Sequence, residues 1–161
     1  MPFVSPFVSR STMYRLAATS AVVLAASGIA LAQMAPEEAV QTRQNIMKSV
    51  GAATGVGGGM AKGEIAFDAK VAGSVLATYV AASHTFDDYF PEGSENVGDT
   101  EAKPEIWSDR AGFEAKLAEF RESAEAGAAA KPDSLEAFQP VFGAITQSCK
   151  SCHQNYRVQK Q

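Results

Sequence analysis

Two cysteines are all that the 161 residues offer for disulfides, and there are only two histidines. That excludes a disulfide-dense scaffold. Seven prolines and 13 glycines are too few for a collagenous or low-complexity chain. Positive charge is short as well: 14 Lys and Arg stand against 18 Asp and Glu, a net charge of −4. A nucleic-acid binder would carry a basic face, so no nucleic-acid partner is expected. What the chain does have is apolar residues, 46% of the total. That is too many for disorder, and the length suits a single domain.

Part of the apolar content sits at the N-terminus. Residues 1–32 hold Arg10 and Arg15 and no acid, with an apolar run Leu16–Leu31 ending in Ala30-Leu31-Ala32 before Gln33. A basic start, an apolar stretch and small residues at the cut read as a secretory signal peptide, with Met13 an alternative start. Thr19, Ser20, Ser27 and Gly28 interrupt the run, which falls short of the about 20 apolar residues of a spanning helix. No membrane span is therefore expected after cleavage. The mature domain is then 33–161, about 129 residues, and losing Arg10 and Arg15 takes its charge from −4 to −6. Its expected location is a bacterial periplasm. In such an oxidising compartment an unoccupied cysteine pair would close as a disulfide.

The mature chain reads as four helices with no convincing strand. The first opens at Pro36-Glu37-Glu38, proline and carboxylates both being favourable in a first turn. Its apolar positions are Ala39, Ile46, Val50 and Ala53, and Gly55 and Gly57–Gly59 weaken it. The second runs from about Phe67 to Ser83, with Val71, Val75, Tyr79 and Val80 expected inward. A long polar loop, about His84 to Lys103, separates it from a third helix that starts at Pro104-Glu105 and turns Trp107, Phe113, Leu117 and Phe120 inward. A loop of that length in a small domain usually has a function or moves. The fourth helix is the clearest: Leu135, Phe138, Phe142, Ile145, Cys149, Cys152 and Tyr156 form an a/d seam. Pro140 is expected to kink it or delay its start. Short, long and short connections predict an antiparallel up-down-up-down four-helix bundle, with both cysteines on the core-facing seam.

Cys149-Lys150-Ser151-Cys152-His153 is the motif that carries chemistry. C-x-x-C-H reads as a c-type haem attachment site. The two thiols are one helical turn apart and share a face, so each can add to one vinyl group of a macrocycle. His153 follows directly and can bind the iron axially. A helical i,i+3 disulfide has poor geometry. A thioredoxin-like pair belongs near a βαβ pattern that is absent here, and a structural zinc site wants four ligands. No methionine follows His153, so any sixth iron ligand must come from an earlier helix.

The ending Cys149 to Arg157 resembles the C-x-x-C-H-x-x-Y/F-R ending of the cytochrome c′ family. Pro36 to Val40 with Arg43-Gln44 is similar to that family's first helix, and Lys103 to Ser108 to the start of its third. The resemblance implies a periplasmic class II c-type cytochrome with one covalent haem c, held through Cys149 and Cys152 with His153 as proximal ligand. It further implies that Arg43 and Gln44 lie against the haem and its propionates, that Glu101 lines the haem edge, and that Arg157 modulates the proximal imidazole. Met47 matches the distal position. Members of the family either ligate iron with a methionine there and carry electrons, or leave the iron five-coordinate and open to gases, and the residue type does not decide between them. Met34 and Met60 are weaker ligand candidates, and His84 is expected on the surface.

The expected function is single-electron transfer with periplasmic redox partner proteins, with Met47 as sixth ligand. The alternative is a five-coordinate protein that binds NO or CO, and a third reading is a haem-free thiol–disulfide protein. The sequence shows no other catalytic constellation, so no enzyme activity is expected. Family resemblance implies a homodimer through the first two helices.

Overall fold

The computed structural model of the chain describes residues 34–159, so the expected export segment, residues 1–32, lies outside the described residues. Helix α1 spans Pro36–Ala61, α2 Ala69–Thr85, α3 Glu105–Ser108, α4 Arg110–Ala130 and α5 Leu135–Tyr156. A single 3-10 turn, Phe86–Tyr89, follows α2.

Local chemistry sets most of these boundaries. Pro36 occupies the first turn of α1 with Glu37 and Glu38 beside it. Asp68 caps α2 by accepting from the Lys70 and Val71 N–H groups at 2.8 and 3.0 Å. Ser134 caps α5 by accepting from Ala137 N–H at 3.3 Å. At the end of α4, Lys131 takes a left-handed conformation, φ 45°, and Pro132 prevents continuation. The Asp68 and Ser134 caps satisfy backbone donors that a helix start leaves unpaired, and the Lys131 N–H donates to the Ala128 carbonyl at the end of α4.

Side-chain contacts give the order of the helices around the bundle. Thr54 meets Tyr79 between α1 and α2, and Tyr79 meets Phe120 between α2 and α4. Ser123 meets Ser148 between α4 and α5, and Gln139 of α5 reaches the carbonyl of Ala61 in α1 at 2.8 Å. Each long helix therefore packs antiparallel on its sequence neighbour, and α1 closes the ring against α5. This is the up-down-up-down arrangement expected. Close approach depends on glycine at two points. A Cβ on Gly57 would lie 2.5 Å from Phe142 Cε2, and one on Gly127 would lie 2.8 Å from Val141 Cγ1.

Three expectations change. The third helix is two helices, because Asp109 leaves helical geometry and caps α4, accepting from Gly112 N–H at 3.2 Å. Val71 points outward at 40% exposure. The inward face of α2 is instead Ala72, Val75, Leu76, Tyr79, Ala82 and Ser83. Pro140 does not delay α5, which starts at Leu135 and runs through it. Standing early in the helix, it removes one backbone bond and remains exposed.

Candidate functional site

The buried apolar residues form two clusters rather than one. The larger contains Val50, Met60, Val75, Leu76, Tyr79, Phe120, Phe138, Phe142 and Ile145, with Ile46, Met47 and Cys149 packed at its margin. The smaller contains Phe90, Ile106, Phe113, Leu117 and Tyr156, with Trp107 and Cys152 at its margin. Cys149 thus borders one cluster and Cys152 the other. The C-x-x-C turn sits at the seam between them.

Both cysteines are half-buried and neither is in a disulfide. Burial pushes the Cys149 thiol up, and burial with the neighbouring Cys149 pushes Cys152 up to about 11. Thiols held protonated are poor nucleophiles for disulfide exchange. Among the described residues, no three His, Cys, Asp or Glu side chains are grouped to hold a metal ion. The thioredoxin-like and zinc readings therefore both lose support. His153 is half-buried one position on, and burial, reinforced by Arg157 and opposed by Glu101, lowers its pKa. A neutral imidazole is the form that ligates iron. Two thiols on one face, an adjacent neutral imidazole and an apolar seam between two clusters fit a covalently held haem.

Met47 lies half-buried on α1 and packs against the same cluster as Cys149. Met60 is fully buried in that cluster near the end of α1, Met34 is half-buried outside the helices, and His84 is exposed and paired with Glu125 at 2.8 Å.

Arg43, one turn before Met47, is only 4% exposed. Its Nη1 donates to Tyr89 O and Ser94 Oγ at 3.1 and 3.0 Å, and its Nη2 to Ser94 O and Thr100 Oγ1 at 2.8 and 2.7 Å. The guanidinium also lies over the Phe90 and Trp107 rings, 4.9 and 5.7 Å from their centroids. Burial lowers its pKa, and Glu95 partly offsets this. Arg43 therefore anchors the loop between α2 and α3, using neutral acceptors throughout. Gln44 donates to Asp99 at 3.1 Å. Glu101 accepts from Arg157 Nε at 2.7 Å, which places it beside the end of α5.

Ser94, fully buried, Thr100 and Tyr89 were not singled out in the sequence. They lie in an irregular loop and carry no periodic signal that would mark them as partners of a helix residue 46 to 57 positions away.

The Cytochrome C′ family model matches residues 38–157. A "Cytochrome c′" of Rhodopseudomonas palustris is 34% identical over 146 residues, covering 91% of this chain and 97% of that protein. A "Cytochrome c-556" of Agrobacterium tumefaciens is also 34% identical, over 71% of this chain and 90% of that protein. A solved nitric oxide complex of an L16I cytochrome c prime mutant from Alcaligenes xylosoxidans is 30% identical. It superimposes with a TM-score of 0.68 over 77% of this chain and 97% of its own. With its four-helix bundle and its C-x-x-C-H turn, the chain belongs to the cytochrome c′ family of proteins that carry one covalently attached haem c.

Proposed function

We propose that the protein is a periplasmic single-electron carrier in which Cys149 and Cys152 would hold the haem covalently and His153 and Met47 would ligate its iron. The observation that carries this reading is the placement of Met47. It sits on α1 and packs against the larger cluster, the same cluster that Cys149 of α5 packs against. The haem iron, when bound, supplies the one-electron couple. The chain's own residues contribute the rest: the two clusters exclude water around the seam, His153 offers a neutral imidazole, and Met47 offers a thioether, which raises the potential when it ligates. No acid–base pair is required, and we assign no enzymatic activity.

The ferric absorption spectrum of the purified protein tests this reading. A weak far-red charge-transfer band of Met–iron ligation is expected, and it disappears in Met47→Leu. High-spin bands with ready CO binding in the unaltered protein overturn it. That outcome supports the second reading, a five-coordinate protein that binds NO or CO. The solved relative bound to nitric oxide favours that alternative.

A homodimer is part of the same proposal. The outer faces of α1 and α2 carry Gly51, Ala52, Gly55 and Val56, and Val71, Gly73, Ser74, Ala77 and Ala81, all exposed. All of these are small or uncharged, with exposed Lys48 and Lys70 at the edge of the patch one turn before them. Small side chains let helices approach closely, and the two lysines at the edge can stay in solvent. Sedimentation of the wild type against Ala52→Glu is expected to show a dimer converted to monomer, and a monomeric wild type at micromolar concentration contradicts it.

A further inference from the structure

We propose that Glu101 is a positioning residue for the proximal side of the haem, holding the Arg157 guanidinium at the end of α5 and pairing its charge there. Arg157 directly follows α5, and its backbone N–H donates to the carbonyl of His153 at 3.2 Å. Its side chain turns to a single carboxylate oxygen: Nε donates to Glu101 Oε2 at 2.7 Å, and Nη2 lies 2.5 Å from the same atom.

The backbone fixes both partners. Val158 N–H donates to Glu101 O at 2.8 Å and Lys103 N–H to Tyr156 O at 3.0 Å, and Ala102 and Arg157 form an antiparallel bridge. On its other side, the Thr100 hydroxyl receives Arg43 Nη2 at 2.7 Å and Ala102 N–H at 3.2 Å. Residues 100–102 are therefore clamped between a buried arginine of α1 and the chain just beyond the haem motif. An exposed ion pair between free side chains contributes little to stability. Here the bridge has already ordered the backbone of both residues, so the pair chiefly determines where the cation stands.

That position matters to the haem. Reduction adds one electron, and so one unit of negative charge, at the iron. An unpaired Arg157 cation favours that added charge more than a paired one does, because the carboxylate cancels part of its field. Removing the carboxylate changes the midpoint potential in two ways: its own negative charge is lost, and the guanidinium it held at Oε2 is free to move; only the second depends on Arg157. The inference rests on His153 binding the iron. That reading fails separately, if His153→Ala leaves the haem spectrum unchanged.

Midpoint potentials of the haem-loaded wild type, Glu101→Gln, Arg157→Gln and the double variant form a cycle that isolates the coupling. Glu101→Gln is expected to change the potential by a different amount in the Arg157→Gln background, where no guanidinium is left to move. An equal change in both backgrounds, which loss of the carboxylate's charge alone would give, overturns the proposal. Should Glu101→Gln fail to retain haem, the wild type alone suffices. Its Arg157 Nε–H is expected to exchange with solvent about tenfold or more slowly than a free arginine, and exchange at the free rate overturns it.

Discussion

The phenol of Tyr156 donates to Oδ2 of Asp109 at 2.7 Å, fastening the last turn of α5 to the residue that caps α4. That hydrogen bond, with burial, raises the Tyr156 pKa from 10.0 to about 12. A raised folded pKa means that the stability contributed by the phenol is fully present below pH 10. It is lost as pH rises through 12, because the unfolded chain ionises first. Tyr156→Phe is expected to cost about 1 kcal/mol at neutral pH. The gap between the variant and the wild type should close between about pH 10 and 12. Urea denaturation across that range checks it, and a constant gap would falsify the linkage.

Arg43 gives a second prediction. Its four Nη hydrogen bonds all reach the loop between α2 and α3, and no carboxylate lies within salt-bridge distance of it among the described residues. Arg43→Ala leaves buried acceptors without donors and is expected to destabilise by about 2–4 kcal/mol. Arg43→Lys recovers only part of this, since one ammonium cannot reproduce the planar fork. Hydrogen exchange should show the loss first at the Ser94 N–H, which donates to Pro91 O at 3.2 Å, and unchanged protection there argues against the anchor.

These two residues show what was legible in the sequence. The heptad of α5 predicted both the helix and the inward placement of Phe138, Phe142, Ile145 and Tyr156, because burial against one partner imposes a repeating pattern. The C-x-x-C-H motif was legible for a similar reason, as its chemistry is local. Asp109 was not. Within a run of helix formers it reads as one more surface acid, yet it caps α4 and receives a phenol 47 positions away. Resemblance placed Arg43 against the haem, but nothing in the sequence ties it to Ser94 and Thr100. Val71 was turned outward because α2 meets α1 and α4 through a narrower face of Ala72, Val75, Leu76 and Tyr79. A helical period gives the spacing of a face but not which of two adjoining faces is buried.

Two glycines of α1 should respond in opposite senses. A Cβ at Gly57 would meet Phe142 at 2.5 Å and Val75 Cγ1 at 3.2 Å. The Phe142 ring is itself stacked on Phe138 at 5.4 Å and has little room to yield. Gly57→Ala is expected to lose about 1–3 kcal/mol. A Cβ at Gly55 would have nothing within 4 Å, so Gly55→Ala is expected to gain up to about 1 kcal/mol from helix propensity. Thermal melts at one protein concentration compare them, and equal shifts in one direction would refute the packing argument.

The cysteines separate attachment from packing. Cys149 and Cys152 lie at the margins of different clusters, and alanine at either is a small loss of apolar volume. Cys149→Ala or Cys152→Ala alone leaves one thiol, so haem should still migrate with the protein on a denaturing gel. The double variant should lose it completely. Its stability should fall by about 3 kcal/mol or more, the order expected when a tightly held group that binds only the folded state is withdrawn. Two alanines in the partly exposed margin, with no haem involved, would cost far less than that. A double variant that melts like the wild type would therefore mean that the seam between the clusters closes by itself, and that the cofactor is no part of what holds the bundle together.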